Sequence, residues 1–317
     1  MASAPATGQQ MSAAQARVVD PILSEHVRGY SNAQMVGNRL FPLVNMPTRA
    51  AKRIEFNREA LRRVLTARAP GTNIGRYTMS YKGLPVNLTQ DALQAVTPIE
   101  FVEEAGEVPG IDLQQESVDV VLAVIALSLE IQQAELARNP AAYDAGNKLA
   151  LAAGDRWTSA DSDPADQVET GKEQIRKRTG RRPNTLLLSA DARSAAKNHP
   201  KIRDHFKYTT SAAVSDEMLA QYFDVPNVVT GDAIYDLDDG TTVDVWGQDA
   251  VLAFVAPEGQ RNIRLPSYGY TYRLRGHPFV EPVEWDKDTR SWVNNVIDEQ
   301  SPEIVGSDAG FLFQGVA

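Results

Sequence analysis

Apolar residues recur at intervals of three and four in one long stretch, which predicts a helix over residues 113–138. The main stripe of this helix consists of Val118, Val121, Leu122, Ile125 and Leu129. A second set of apolar residues widens the stripe until most of the circumference is apolar: Val120, Val124, Leu127 and Ile131. A helix of this length, about 39 Å, is expected to pack against a sheet or against neighbours on several sides.

Capping residues mark the shorter helices. Asp20-Pro21 and Asp163-Pro164 each place a capping carboxylate before a proline at the first helical position. Gly180 is expected to end the second of these helices, after three cations in its last turn. The predicted short helices cover residues 20–28, 164–179, 190–198 and 216–223, the last with Ser215 as its cap.

Short apolar or alternating runs predict strands, mostly in the second half of the chain. They cover residues 185–188, 227–229, 242–245, 251–255, 268–274, 280–285, 291–297 and 303–305. Two weaker strands are predicted at 53–59 and 63–67, followed by a turn at Pro70-Gly71. Because helices come first and strands last, the predicted class is α+β and not a regular βαβ succession.

Composition and charge narrow the class of protein. The 317 residues are 43% hydrophobic and 23% charged, as in a soluble globular chain of about two domains. The net charge of −9 argues against a protein whose main function is to bind nucleic acid, because neutralising phosphates requires a basic surface. The chain contains no cysteine, which excludes disulfides, thiol nucleophiles and Cys-zinc or iron–sulfur sites. The first fifteen residues are small and polar, and the uncharged run Val120–Leu129 spans about half a bilayer core, so no signal peptide or membrane segment is expected.

Charge changes sign abruptly along the chain. Residues 49–82 carry nine basic and two acidic residues, whereas residues 83–137 carry ten acidic residues and no Lys or Arg. Residues 49–82 have few apolar side chains, so we expect this basic segment to be ordered by docking on an acidic one, within a subunit or between subunits. The hypothesis pairs Arg49, Lys52, Arg53, Arg58, Arg62, Arg63 and Arg68 with Glu100, Glu103, Glu104 and Glu107 of a neighbouring subunit.

A search for catalytic chemistry finds no site. The four histidines (His26, His199, His205 and His277) are scattered, and the sequence has no HExxH, Walker or GxSxG motif. We therefore predict no catalytic residue, no cofactor and no metal. Asp236–Gly240 faintly resembles a calcium loop, but its glycine is misplaced and Gly247 stands where the bidentate Glu belongs, which favours a plain hairpin turn.

Two charged clusters have a functional and an ordinary interpretation. The basic run after residue 171 would suit a phosphate, but a solvated helix end is the more common explanation. Its members are Lys172, Arg176, Lys177, Arg178, Arg181 and Arg182. The pair Glu103-Glu104 has the composition of a carboxylate dyad, yet chance pairs are expected within a run of ten acids.

An ordered set of motifs spans residues 157–297. Its parts are Trp157-Thr158-Ser159, Ser162-Asp163-Pro164, Thr179-Gly180, Pro183-Asn184-Thr185-Leu186-Leu187-Leu188, Asn198-His199-Pro200-Lys201-Ile202, Lys207-Tyr208-Thr209, Leu219-Ala220-Gln221-Tyr222-Phe223-Asp224-Val225-Pro226-Asn227-Val228, Val245-Trp246-Gly247 and Pro266-Ser267-Tyr268-Gly269-Tyr270-Thr271. No single part is diagnostic. Taken in order, the set resembles the major capsid proteins of tailed bacteriophages with the Hong Kong ninety-seven capsid fold.

The resemblance implies a division of the chain. Residues 1–48 would be an N-terminal arm and residues 49–84 an extended E-loop. Residues 85–160 and 250–300 would form a peripheral domain around the long spine helix, and residues 161–249 and 301–317 an axial domain. The axial domain would meet its symmetry mates at fivefold and sixfold axes.

The resemblance also implies a function. Such a protein self-assembles as hexamers and pentamers into an icosahedral shell that encloses double-stranded DNA without sequence-specific binding. It is located in the virion, is assembled in the host cytoplasm and has no membrane partner. Its partners would be a portal protein, in some cases a cement protein, and a separate scaffolding protein, because only a short polar stretch precedes Asp20-Pro21.

Two alternatives to the capsid remain open at this point. A bacterial encapsulin has the same fold but encloses an enzyme cargo, so the contents of the shell separate the two. A soluble α+β enzyme would need a convergent catalytic or metal-binding constellation, which the sequence does not offer.

Overall fold

The structure is a computed structural model of the chain. It describes residues 35–54, 83–105, 113–207, 214–259 and 267–317, together with a few positions between 63 and 76. The predicted helix over 20–28 lies outside these residues.

The described residues contain six α-helices. They are α1 (Ile99–Ala105), α2 (Leu113–Arg138), α3 (Pro164–Thr179), α4 (Ala190–Asn198), α5 (Pro200–Phe206) and α6 (Asp216–Phe223).

The strands of the described residues number fifteen. They are β1 (Leu43–Met46), β2 (Ala50–Ile54), β3 (Gly83–Asn87), β4 (Thr89–Pro98), β5 (Lys148–Ala150), β6 (Thr185–Ser189), β7 (Asn227–Gly231), β8 (Ile234–Asp236), β9 (Thr242–Asp244), β10 (Ala250–Ala253), β11 (Gly269–Leu274), β12 (Phe279–Val280), β13 (Glu284–Asp286), β14 (Ser291–Ile304) and β15 (Gly310–Gln314). The mixed α+β class is confirmed, although four strands precede the first helix.

The predicted helices within the described residues are confirmed, and local chemistry explains their ends. Asp163 caps α3 by accepting the Asp166 N–H, and Gly180 ends it in the left-handed conformation with φ 71°. Ser189 and Ser215 cap α4 and α6 in the same way, through the N–H groups of Ala192 and Met218.

The described chain divides into two compact units. The large unit comprises residues 35–89, 126–275 and 300–317, and the small unit comprises Gln90–Ile125 and Gly276–Glu299. Both α2 and β14 contribute residues to each unit.

The large unit is built on a five-stranded sheet with strand order β5-β15-β10-β6-β7. Its central strand β10 pairs antiparallel with β15 and β6, and all four of its residues are buried. A second group of strands joins β1 to β11 and β11 to the C-terminal part of β14. The hydrophobic core of this unit includes Trp157, Trp246 and Tyr268.

The small unit packs the first half of α2 on a sheet. Strands β12, β13 and β4 pair with β14, and Val280 lies opposite Val296. These two valines and Ala95 form a cluster with Val118, Leu122 and Ile125 of α2. The main stripe of the predicted helix therefore faces a sheet, as expected.

The second stripe of α2 is covered only in part. Leu127 and Ile131 pack against the core of the large unit, as predicted, whereas Val120 and Val124 in the first half of the helix are exposed within the described chain. Among the described helices, α2 is also the one whose length and hydropathy would allow it to span a membrane. Its buried face, however, is packed against β-strands as in a core helix.

Several predicted strand boundaries are wrong. The predicted strand 280–285 is two short strands, β12 and β13, with Pro282 between them, since proline cannot donate a ladder hydrogen bond. The strands predicted at 291–297 and 303–305 are one strand, β14, because the polar residues Asp298, Glu299 and Gln300 between them are buried in the sheet.

Other elements differ from the sequence analysis for local reasons. Residues 200–206 form the helix α5, which the sequence analysis does not predict: Pro200 is its first residue, and His199 caps it by accepting the Lys201 N–H. The strand predicted at 53–59 begins at Ala50, and its residues beyond Ile54 lie outside the described chain. Of the strand predicted at 63–67, the described residues Arg63, Thr66 and Ala67 are not extended into a strand.

Candidate subunit-contact surfaces

The basic segment is closed at its base by a two-stranded hairpin. Strands β2 and β3 pair antiparallel, with Ala50 opposite Asn87 and Ile54 opposite Gly83. Residues 55–82 are therefore inserted between two paired strands, as expected for a long excursion. The turn at Pro70-Gly71 is confirmed, with Gly71 at φ +83°.

Arg53 is already used within its own chain. Its Nη1 lies 2.9 Å from Glu303 Oε2 and also donates to the Ile304 carbonyl. The side chain is largely buried, and the ion pair fixes β2 to the end of β14. Arg53 is thus a base residue of the hairpin.

The other predicted basic contacts divide into two groups. Arg49, Lys52, Arg63 and Arg68 are exposed, whereas Arg58 and Arg62 lie outside the described residues. The hairpin therefore presents positive charge at its base and at the described points of the excursion.

On the acidic side, α1 carries two of the four predicted carboxylates. Glu100 and Glu103 are exposed, and Glu100 Oε1 lies 3.5 Å from Arg290 Nη1. Both members of that ion pair are more than half exposed, so it contributes little stability. The side chain of Glu104 and all of Glu107 lie outside the described residues.

The small unit also presents apolar side chains that the sequence analysis did not single out as a surface. They are Leu93, Val96, Phe101, Val120, Val124, Val283 and Trp285. Trp285 of β13 packs edge-on against Trp292 of β14, with the ring centroids 4.8 Å apart. Exposed aromatic and aliphatic groups of this kind are typical of protein contact surfaces. The sequence signal was the second apolar stripe of α2, which was assigned to packing.

A buried carboxylate that the sequence analysis missed holds the start of the described chain. Glu130 of α2 accepts hydrogen bonds from the N–H groups of Val36 and Gly37 at 3.1 and 2.8 Å and from Trp246 Nε1 at 2.8 Å. Burial raises the pKa of Glu130, and the three donors oppose that shift. A Cβ on Gly37 would lie 2.0 Å from Gln133 Oε1, so a larger residue there would displace the buried side chains of Gln133 and Glu130. A lone Glu in an apolar helix was the available signal, but its partners are remote in sequence.

The basic run after residue 171 is not a uniform solvated helix end. Lys172 is buried, and its Nζ pairs with Glu169 at 2.7 Å and with Asp224 at 3.1 Å. Arg178 pairs with Asp308 and Asp144, which raises its pKa. For Lys172, the expectation of solvent exposure is therefore wrong, because α6 ends where its ammonium can be neutralised.

The Asp238-Asp239-Gly240 segment forms the predicted hairpin turn. Strands β8 and β9 pair antiparallel around it, and Gly240 has φ +81°. Asp239 accepts the Thr241 N–H, which lowers the pKa of its carboxyl, and Asp236 accepts the Thr242 hydroxyl. Within the described residues, no group of three or more His, Asp or Glu is placed to hold a metal ion.

Comparison with known proteins shows which family the chain belongs to. Residues 142–297 match the family described as phage major capsid protein E. Over 304 residues, the chain is 35% identical to the major capsid protein of Burkholderia phage BcepMu, covering 95% of this chain and 97% of the relative. The chain therefore belongs to the major capsid proteins of tailed bacteriophages.

Solved structures agree with this assignment. A phage-related protein from Bordetella bronchiseptica RB50 matches with a TM-score of 0.82 and 41% identity, covering 95% of this chain and 98% of that one. The mature capsid of bacteriophage PhiM1 matches with a TM-score of 0.52 and 15% identity, covering 90% and 87% of the two chains. The fold is thus the Hong Kong ninety-seven capsid fold. The protein is a structural subunit of a phage virion that assembles from multiple copies of itself.

Proposed function

We propose that the chain assembles as hexamers and pentamers into a closed icosahedral shell around double-stranded DNA. The observation that carries this proposal is the 35% identity with a major capsid protein along almost the whole of both chains. A match of that length includes the basic excursion and the acidic segment as well as the folded core. The chain carries a net charge of −9, which argues against strong binding of the DNA backbone. The shell is therefore proposed to enclose DNA without sequence-specific binding.

The proposal extends to the parts and partners of the subunit. Residues 1–48 act as the arm, 49–84 as the E-loop, 85–160 and 250–300 as the peripheral domain, and 161–249 and 301–317 as the axial domain. Assembly takes place in the host cytoplasm with a portal protein, a separate scaffolding protein and, where present, a cement protein. The subunit itself catalyses no reaction.

Electron microscopy of particles assembled in cells tests this function. The chain is produced with its phage's scaffolding protein, and the purified particles are imaged and their contents analysed. Closed shells built of hexamers and pentamers, with DNA in the mature virion, are expected. A stable monomer or dimer as the largest species would refute the proposal, and shells filled with a specific enzyme would favour the encapsulin alternative.

Within the shell, we propose that the basic excursion of one subunit lies over the acidic segment of its neighbour. The support is the placement of charge: nine cations in residues 49–82 and ten acids without a cation in residues 83–137. Arg53 anchors the hairpin through Glu303, so the docking contact is proposed for the other predicted cations, of which Arg58, Arg62 and Arg63 lie within the excursion itself. Single exposed pairs contribute about 0–1 kcal/mol each, so the effect depends on several pairs repeated at every subunit.

A charge-swap cycle tests the docking contact. Reversal of Arg58, Arg62 and Arg63 to Glu is expected to reduce particle yield, because it places like charges together. Reversal of Glu103, Glu104 and Glu107 to Lys in the same chain is expected to restore part of that yield.

The matched control reverses three exposed cations of the large unit, Lys177, Arg181 and Arg203. This control is expected to reduce the particle yield less than the reversal of Arg58, Arg62 and Arg63 does. Equal losses for the control and loop triples, or normal assembly of the loop triple, would contradict the docking contact. Because screening weakens exposed pairs, the loop variant is also expected to differ least from the wild type at high salt.

A further inference from the structure

Glu130 and Gln133 lie one turn apart on α2 and together hold the start of the described chain. Both side chains are buried, with 1% and 0% exposure. Glu130 accepts from the N–H groups of Val36 and Gly37. Gln133 donates from Nε2 to Asn38 Oδ1 at 3.1 Å. The two side chains therefore fix this segment to the helix, and we call them the α2 clasp.

Thr271 determines which way the amide of Gln133 points. The hydroxyl of Thr271 donates its one proton to the Phe41 carbonyl at 3.0 Å. Its oxygen can therefore only accept from the Gln133 amide, which lies 2.8 Å away. The amide nitrogen of Gln133 must face Thr271, and Oε1 must point to the other side. That oxygen is buried, and no described residue donates to it.

The free oxygen of Gln133 borders the Glu130 carboxyl group. A Cβ on Gly37 would lie 2.0 Å from Gln133 Oε1 and 2.8 Å from Glu130 Oε2, so both oxygens face the same small space. An amide oxygen and an ionised carboxylate are both acceptors and cannot bond each other. A protonated Glu130 can donate from Oε2 to Gln133. Its Oε1 still accepts from Val36 and from Trp246 Nε1.

No cation among the described residues offsets a charge on Glu130, whose donors are neutral N–H groups. Arg138 pairs instead with Asp249 at 2.8 Å, and Arg273 bonds Gln300. Burial raises the pKa of Glu130, and its donors only oppose that shift. The charged or titratable side chains on the surrounding elements are Arg39, Glu135, Arg138, Asp244, Asp249, Tyr272 and Arg273.

We propose that the α2 clasp depends on a proton: Glu130 in its acid form donates to Gln133 Oε1 and holds the start of the described chain on the helix. Ionisation releases the proton to solvent and leaves a buried charge, so the clasp loosens as pH rises. Because the folded-state pKa is raised, the added stability is fully present below the ordinary Glu pKa and is lost as pH rises through the raised value.

The clasp lies in the segment proposed as the N-terminal arm, so proton binding controls how firmly the root of that arm is attached. Only this consequence rests on the proposed function. The clasp itself is measured in the unassembled subunit, so its failure leaves the shell proposal standing, and failure of the shell proposal leaves the clasp standing.

Infrared spectroscopy of the unassembled subunit detects the proton directly. The carbonyl band of a protonated acid is expected to persist above the ordinary Glu pKa and to be missing in Glu130→Gln. Glu303→Gln is the matched control and should keep the band, because Glu303 pairs with Arg53 at 2.9 Å and is ionised. A band that is unchanged in Glu130→Gln, or that vanishes at the ordinary Glu pKa, would overturn the proposal.

Amide hydrogen exchange measures the opening of the clasp at the Val36 N–H, which donates to Glu130 Oε1. Wild type and Glu130→Gln are compared at each pH, so the intrinsic pH dependence of exchange cancels. The rates should agree in acid. Above the raised pKa, Val36 should exchange about fivefold or more faster in the wild type, because the variant stays neutral. The buried Leu252 amide of β10 is the control and should exchange equally in both chains. Equal Val36 rates at every pH, or slower exchange in the wild type, would contradict the clasp.

Thr271→Val tests the mechanism without a change at Glu130. Once the hydroxyl is removed, Gln133 can turn its amide and donate to an ionised Glu130, and the exposed Asn38 can turn to match. The carbonyl band should therefore vanish at a lower pH than in the wild type. Thr185→Val, at another buried threonine of the large unit, is the control and should leave the band in place. An unshifted band in Thr271→Val would overturn the orientation of Gln133 and the proposal with it.

Discussion

The two compact units treat their apolar side chains differently. In the described residues, the core cluster of the large unit contains 36 buried hydrophobic residues, whereas that of the small unit contains six. The small unit also holds seven large hydrophobic side chains at its surface, including Phe101, Val120 and Trp285. A unit with so thin a core gains part of its stability from whatever covers that surface. We therefore expect the small unit to depend more on neighbouring subunits for its stability than the large unit does.

Two buried asparagines, one in each unit, differ in how far their amides are satisfied. In the large unit, Asn147 is buried and its Nδ2 donates to the Gly310 carbonyl at 2.8 Å, while its Oδ1 has no partner among the described residues. In the small unit, Asn294 is buried in β14, and neither atom of its amide has a hydrogen-bond partner among the described residues. Because an unsatisfied buried polar group costs free energy, Asn294 is expected to destabilise its unit more than Asn147 does.

The largest expected effect is a core truncation in each unit. Leu252→Ala in β10 should lower the free energy of unfolding of the unassembled subunit by about 3 kcal/mol, because the side chain is fully buried in the central strand. Leu122→Ala on α2 should cost less, about 2 kcal/mol, because a six-residue cluster near the surface can relax around the smaller side chain. Denaturant unfolding measures both. Equal losses, or a larger loss for Leu122→Ala, would contradict the contrast between the units.

A pair of asparagine substitutions should change stability in opposite directions. Asn147→Leu should lower the free energy of unfolding by about 2 kcal/mol, since it removes the donor to Gly310 and leaves buried carbonyls unpaired. Asn294→Leu should raise it by about 1 kcal/mol, because an unsatisfied amide is replaced by an apolar group of similar size. Thermal or denaturant unfolding of the two variants side by side decides the matter. Destabilisation by both would show that Asn294 is satisfied in solution.

The sequence predicts local elements of this fold better than their pairing. Residues 113–138 and 216–223 were assigned with the observed bounds, because apolar period and capping residues act within a few positions. The length of β14 was missed, because burial of Asp298, Glu299 and Gln300 depends on strands distant in sequence. Strands β8 and β15 were missed for the same reason: each is short and is defined by its partner.

The candidate surfaces were predictable as charge but not as geometry. The sign reversal between residues 49–82 and 83–137 is visible in the sequence alone. The ion pair between Arg53 and Glu303 joins residues 250 positions apart. The hydrogen bond between Glu130 and the Val36 N–H joins residues 94 positions apart. Contacts this remote in sequence cannot be predicted from local patterns. The exposure of Val120 and Val124 was hidden because an apolar helix position does not reveal what covers it.

A smaller effect is expected at the start of α3, where the large unit caps a helix with its own side chain. The Asp166 N–H and Lys201 lower the pKa of Asp163. Its carboxylate therefore stabilises the fold above the ordinary Asp pKa, and this contribution is lost as pH falls through the lowered value. Asp163→Ala should cost about 1 kcal/mol at neutral pH and progressively less in acid.

Asp163→Asn is the matched control for that cap. Asparagine keeps the acceptor for the Asp166 N–H, so its cost should stay within about 0.5 kcal/mol at neutral pH. Unfolding curves collected at several pH values give the comparison. If Asp163→Ala cost the same at pH 2 as at neutral pH, the charge of Asp163 would have no part in the cap.

The smallest expected effect on stability is that of Trp285→Phe, and tryptophan fluorescence allows the two units to be observed separately. The four tryptophans divide equally: Trp157 and Trp246 are buried in the large unit, whereas Trp285 and Trp292 lie in the small unit with Trp285 exposed. Trp157 and Trp246 also donate from Nε1 to Gln167 and Glu130, which fixes them in the interior. Acrylamide should therefore quench the fluorescence of the unassembled subunit only in part. Trp285→Phe should remove most of the quenched fraction. The same substitution should change the free energy of unfolding by less than about 1 kcal/mol. Trp157→Phe is the control and should leave that fraction in place.

If the small unit is covered by neighbours in the shell, the quenched fraction should fall on assembly. An unchanged fraction in assembled particles would mean that the surface around Trp285 stays open to solvent and that the thin core of the small unit is not compensated there.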